Sequence, residues 1–285
     1  MNFIIINEIY ILLLRIVNII YNPMKALNSA LFSISLFILV SSCKRLTLTD
    51  EKDDEQLDNT EKRRLVPLRI ISEKLTLNFE YESGTGNLKK ITSSDKSQII
   101  ITYKPKYYRI ERFKDDVLYR YSDFLLTDGK ALRIHRFDSS GNIDMPIGNC
   151  KLNYSKDALL TNIKDYNAAN DLILERRILY AKSGVVSRIE QVDKQNNSTF
   201  LEYTYDDKNG IFKNVTHAQL FLLDLEYEFF SADTHNWLTY NNSQLPEENL
   251  TCSYSYNGDD YPSKMVINES GGKSTINITY VEIAK

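Results

Sequence analysis

The sequence predicts an all-β fold: an antiparallel meander of repeated hairpins that curls into a barrel-like or half-barrel sheet, with one short helical insertion. Three observations carry this. Tyr is abundant, 19 of 285 residues, while Gly (10) and Pro (6) are scarce, and aromatic rings suit a pleated, half-buried surface. Apolar and polar residues alternate with period two in many short runs. The runs come in pairs whose turns carry Gly, Asn and Asp, residues that tolerate positive φ.

Residues 1–42 differ from the rest. Phe3–Ile20 is apolar but interrupted by Asn7, Glu8, Arg15 and Asn18, whereas Ala26–Val40 carries no charge and follows Met24-Lys25. A positive residue, a short apolar stretch and small residues before a cleavage point make a signal peptide. The stretch falls short of the roughly 20 apolar residues of a spanning helix. Val40-Ser41-Ser42-Cys43 resembles the bacterial lipobox. That resemblance implies acylation of Cys43 and stable anchoring, since two or more acyl chains hold a protein where one does not. The competing reading is a transmembrane anchor that contains a Cys. We take Met24 as the start of translation, with residues 1–23 a misassigned extension rich in Asn, Ile, Tyr, Leu and Phe; a precursor peptide covering residues 2–20 would sink this.

Residues 43–66 read as a flexible tether, because LTDEKDDEQLDNTEKRR cannot bury a core. Lys52-Asp53-Asp54 is similar to the Lys-acidic-acidic signal that exports some Bacteroidetes lipoproteins to the surface. A plain solvated charge run accounts for it equally well.

Residues 67–285 read as the β-hairpin-repeat domain. Leu75, Leu77, Phe79 and Tyr81 alternate with polar residues and lead through Gly84 and Gly86 to Ile91. The unit recurs from Tyr154 to Ile163, Tyr180 to Ile189, Tyr205 to Val215 and Tyr256 to Val266. The near-constant spacing sets the register, since a one-residue slip turns every Tyr to the other face. Ile99–Tyr103, Val117–Tyr121, Leu132–Phe137 and Ile276–Tyr280 are further strands. His217–Phe230 is apolar on both the strand and the helix period; we read it as a short helix that plugs or caps the sheet.

The tail YSYNGDDYPSKMVI, with its Tyr-x-Tyr, acidic turn and Tyr-Pro, resembles a family of uncharacterised Bacteroides-type outer-membrane lipoproteins. They share a domain of unknown function with a porin-like β fold. The resemblance implies an outer-membrane lipoprotein on the cell surface or periplasmic face, and it supplies no catalytic residues. A spanning barrel is not expected: Arg109, Glu111 and Arg112, like Glu175, Arg176 and Arg177, put charge on both faces of a strand, where a lipid-facing barrel keeps an apolar band.

Composition narrows the function. A net charge of −3 lacks the basic footprint of a nucleic-acid binder. No nucleophile elbow or phosphate loop occurs, and three Cys with three His show no zinc spacing. We therefore expect no metal, no cofactor and no enzyme activity. YDDKNG at 205–210 fails the EF-hand spacing, because Thr216 stands where a bidentate Glu belongs. Cys150 and Cys252 fall on the apolar phase of their strands and read as buried thiols or, outside the cytoplasm, a disulfide. His235, Trp237 and Tyr240 are the candidate ligand-binding residues, an aromatic platform for a sugar ring; the alternative packs Trp237 under its loop. The expected function is a lipid-anchored envelope protein that binds glycan or protein. A structural envelope component is the alternative, and a hydrolase with a dispersed site, using His135, His217 or His235, comes third.

Overall fold

The computed structural model describes residues 63–140, 143–224 and 234–284. The signal peptide, Cys43 and the tether up to residue 62 lie outside the described residues. Sixteen strands run in chain order: β1 (Leu65–Ser72), β2 (Thr76–Tyr81), β3 (Leu88–Ser93), β4 (Ser97–Lys104), β5 (Tyr107–Lys114), β6 (Val117–Thr127), β7 (Lys130–Ser140), β8 (Ile143–Tyr154), β9 (Leu160–Asn167), β10 (Leu172–Tyr180), β11 (Val186–Asp193), β12 (Ser198–Tyr205), β13 (Trp237–Asn242), β14 (Leu250–Tyr256), β15 (Pro262–Glu269) and β16 (Gly272–Glu282). Each pairs antiparallel with its chain neighbours, and β1 pairs with β16 from Leu65–Glu282 to Ser72–Ile276. The meander thus closes into a barrel and leaves no open edge. β1 begins two residues ahead of the expected boundary at 67, because Leu65 and Val66 already bury their side chains in the barrel.

The alternation sorts side chains to two faces. Ile70, Leu77, Phe79, Ile91, Ile99, Ile110, Phe124, Ile134, Ile163, Ile178, Ile189, Leu201, Ile267 and Ile276 point inward as one continuous core. Outward, several cross-strand partners are oppositely charged: Arg109 meets Asp123 at 2.7 Å, Arg177 meets Glu190 at 3.2 Å, Lys164 meets Glu175 at 3.6 Å, and Arg188 meets Glu202. Each such surface pair adds little stability. Together they place charge on the outer face, where a lipid-facing barrel keeps an apolar band, among exposed apolar residues such as Val117, Leu132 and Leu179.

The hairpins predicted from Tyr81, Tyr154, Tyr180 and Tyr256 form, with Phe79 opposite Ile91, Leu152 opposite Ile163, Ile178 opposite Ile189 and Cys252 opposite Ile267. The one predicted from Tyr205 to Val215 does not. β12 pairs instead with β13. The intervening chain leaves the sheet, buries Ile211, Phe212 and Val215 in the core, and enters helix α1 (Ala218–Asp224). The reason is legible in Ile211-Phe212: two adjacent apolar residues would face opposite sides of a strand, whereas a turn inside the barrel buries both. The predicted helix forms over 218–224; its expected continuation to 230 lies outside the described residues. Gly86 lets this segment in, since a Cβ there would stand 2.0 Å from the Asn214 carbonyl oxygen.

One rim carries the starts of the odd strands and the ends of the even ones, and a regular device is built there. On odd strands two inward residues stand three apart rather than two: Pro67/Ile70, Leu88/Ile91, Ala131/Ile134, Leu160/Ile163, Val186/Ile189, Trp237/Tyr240 and Pro262/Met265 are all buried. A β-bulge between them restores the inward phase. A bulge disrupts the ladder, and a tyrosine hydroxyl completes it. Tyr81 donates to the Pro67 carbonyl (2.8 Å), Tyr103 to Leu88 (3.2 Å), Tyr154 to Ala131 (2.9 Å), Tyr180 to Leu160 (2.9 Å), Tyr254 to Trp237 (2.8 Å) and Tyr280 to Pro262 (2.9 Å). Each donor ends an even strand or lies near its end, and each acceptor is the rim residue of the odd strand before the bulge.

Removing one hydroxyl strands a half-buried carbonyl. Tyr154→Phe and Tyr180→Phe are each expected to cost about 1–3 kcal/mol, read as a lower urea midpoint at unchanged slope. Lys182→Ala, on the exposed turn beside Tyr180, should change stability by no more than about 0.5 kcal/mol. A Tyr180→Phe midpoint equal to wild type would refute the role of these bonds.

Candidate functional site

Below the apolar rim layer the inward positions of six consecutive strands become polar. Arg112 follows Tyr108 and Ile110 on β5, and Ser122 precedes Phe124 on β6. Arg136 follows Ile134 on β7, and Cys150 precedes Leu152 on β8. Asp165 follows Ile163 on β9, and Arg176 precedes Ile178 on β10. The ladder sets Ser122 opposite Arg136, Cys150 opposite Asp165 and Ile163 opposite Arg176. These side chains form a belt across one wall of the interior.

Asp224, the last residue of α1, completes it. Its Oδ1 accepts from Ser122 Oγ at 2.8 Å and from Arg136 Nε at 3.4 Å; its Oδ2 and its backbone carbonyl (3.1 Å) accept from Arg112. Arg136 Nη1 reaches Asp165 Oδ1 at 3.1 Å, and Arg176 pairs with Asp165 Oδ2. The Cys150 thiol donates to Asp165 Oδ1 at 2.6 Å. Three guanidiniums therefore face two carboxylates in the interior. Burial alone would raise the pKa of Asp165, but Arg176, Arg136 and the thiol outweigh it and hold it below the usual carboxylate range. Burial pushes the Cys150 thiol up to about 12, so this cysteine is a hydrogen-bond donor rather than a nucleophile.

Above the belt, α1 packs on a ring cluster. His217 stacks on Tyr108 (centroids 5.3 Å, 15°), Tyr108 stacks on Phe124 (4.4 Å), and Phe221 meets Tyr108 edge-on (5.8 Å). Asn214 Nδ2 donates to the Leu65 carbonyl (2.9 Å) and to Tyr261 Oη (2.6 Å). Burial holds the His217 imidazole below its ordinary pKa.

The residues expected to form a sugar platform are placed otherwise. Trp237 (5% exposed) and Tyr240 (4%) are both in the core, ring edge to ring face at 6.2 Å. They are the inward pair at the start of β13, and inward residues of a closed, filled barrel present no ring to solvent. His235 is half-buried with Nδ1 2.9 Å from the Lys208 carbonyl oxygen, so the three do not make an exposed platform. His135 lies on the outer face, opposite Asp123 and Asn149. Cys150 and Cys252 are free and buried; Cys43 lies outside the described residues. The acidic turns are held by their own neighbours. Asp206 accepts from the Asn236 and Lys208 backbone amides and from Tyr256, Asp260 pairs with Lys208 at 3.1 Å, and Asp259 pairs with Arg63 at 2.6 Å. Among the described residues no three His, Cys, Asp or Glu side chains converge as metal ligands. Local sequence does not give the belt: Arg112 and Arg176 read there as part of strands with charge on both faces, and nothing local links them to Asp224.

No family model and no curated protein matches the chain. Solved structures do. A porin-like protein from Bacteroides uniformis ATCC 8492 superposes with a TM-score of 0.55 at 16% identity, covering 77% of this chain and 98% of that one. A porin-like protein from Bacteroides vulgatus ATCC 8482 gives 0.49 at 13% identity, covering 76% and 99%. The first likeness is one of fold.

Two outcomes follow from the belt and the ring stack. Asp165→Asn removes the carboxylate that Arg136 and Arg176 share; the cost expected for a buried pair broken on one side is about 3–5 kcal/mol, measured by chemical denaturation. For His217, the folded pKa is depressed, so the unfolded chain binds the extra proton and stability rises with pH. Stability should hold above the ordinary value of about 6.5 and fall as pH drops through it. His217→Phe should flatten that slope, and an unchanged slope would discount His217.

Proposed function

We propose that the chain is a lipid-anchored cell-envelope protein whose barrel is a binding module for glycan or protein, facing the cell surface or the periplasm. The observation that carries this is the barrel's polarity. Its outer face bears paired charges, and its interior holds an apolar core, which α1 joins, beside the belt of buried arginines and aspartates. These paired outer charges, where a lipid-facing barrel keeps an apolar band, and the buried core within favour a water-exposed module over a channel. The uncharged run ending at Cys43 supports an acyl anchor, and the polar stretch after it supports a spacer. The fold shared with a porin-like Bacteroides protein supports an envelope setting. A structural envelope role is the second reading, favoured by a closed sheet without edges; it predicts stoichiometric co-purification with an outer-membrane partner.

Metabolic labelling with radioactive palmitate tests the anchor. Label is expected on the wild-type chain and not on Cys43→Ala, with the variant moving from the membrane to the soluble fraction. Equal membrane retention of Cys43→Ala would overturn the lipid anchor. Empty glycan-array and pull-down results together would count against the binding module.

A further inference from the structure

We infer that Arg112, Ser122 and Arg136 form a carboxylate-binding cradle, which Asp224 occupies from within the same chain. This goes beyond the anchoring and binding roles proposed above and does not depend on them. The cradle belongs to the wall: its three residues sit on β5, β6 and β7, successive strands of the barrel. The carboxylate belongs to the insertion, and Asp224 is the only acidic residue of α1. Donors on a rigid sheet thus receive an acid carried by a separate segment.

The geometry is that of ligand recognition. One planar carboxylate takes a hydroxyl at 2.8 Å and a guanidinium nitrogen at 3.4 Å on one oxygen, and a second guanidinium on the other. Charge-assisted bonds of this kind are the strong ones, and arginine forks select planar acids. Arg136 is oriented independently of Asp224, because its Nη1 is held by Asp165 at 3.1 Å. The cradle would therefore keep its shape with Asp224 gone. The seat itself is enclosed, with Ser122 and the Asp224 carboxylate fully buried and the Arg112 side chain 7% exposed; the Arg136 side chain, 17% exposed, is its most accessible member. A buried ion pair contributes little net stability compared with apolar packing, and a switching role is among its best-attested uses. The ligand is an unbranched acid group of the size of an aspartate side chain, from a small free acid or an acidic peptide residue. Its binding and the seating of Asp224 exclude each other.

Chemical rescue tests this. Asp224→Ala is expected to melt below wild type. Sodium acetate should raise its Tm saturably by about 3 °C or more, where sodium chloride at equal ionic strength does not. Adding Arg136→Gln should abolish the rescue. N-acetyl-aspartyl amide is the second probe: rescue by acetate alone assigns the cradle to small acids, and rescue by both assigns it to acidic peptide residues as well. If Asp224→Ala does not fold in chloride, the refolding yield in acetate against chloride gives the same readout. No gain from either probe, or a gain that survives Arg136→Gln, overturns the inference.

Discussion

A tyrosine hydroxyl bonded to the carbonyl of the residue before a bulge is the interaction on which the barrel rim depends. The odd strands need that bulge, since without it Leu88, Ala131, Leu160, Trp237 and Pro262 would face solvent rather than the core. Bulges bend and twist a strand, which closure of a sheet requires, and they interrupt its ladder. A polar group left unpaired in a half-buried site costs more than a bond gains. Tyr81, Tyr103, Tyr154, Tyr180, Tyr254 and Tyr280 remove that cost while packing their rings on the core. One residue type thus serves packing, polar satisfaction and curvature, which explains why tyrosine recurs at even strand ends.

Closure then decides what the interior can be. A closed meander has no edge, so the chain between β12 and α1 buries its apolar residues by passing the rim beside Gly86, against which the Asn214 backbone lies. Ile211, Phe212, Val215, Leu220 and Phe221 join the core, and Asp224 reaches the charged belt beyond it. The interior is consequently layered: tyrosines at the rim, an apolar layer around Tyr108, and a belt of arginines and aspartates. The outer face, by contrast, carries cross-strand charge pairs such as Arg109–Asp123 and Arg177–Glu190 among exposed apolar residues such as Val117, Leu132 and Leu179.

Much of this was legible locally. Period-two alternation located the strands, Gly, Asn and Asp located the turns, and the tyrosine spacing set the register of four hairpins. The sites were less legible. Trp237 and Tyr240 looked like surface aromatics beside a polar loop, yet their three-residue spacing is the same inward signature that Leu160 and Ile163 show on β9. Arg112 and Arg176 belong to strands with charge on both faces, but a charge pattern within one strand does not name its partner.

The sequence by itself determined the strand elements, the meander order and the tyrosine-rich character of the rim, because each depends on neighbours within about ten residues of the chain. It also carries the apolar run and Cys43, a local motif. Only the tertiary structure decided that β1 meets β16, that Val215 joins the core instead of a strand, and that Asp224 sits between Arg112 and Arg136, 112 and 88 residues away. Those outcomes depend on closure, which brings distant inward positions around a common interior, and no local pattern encodes which of them will face each other across it.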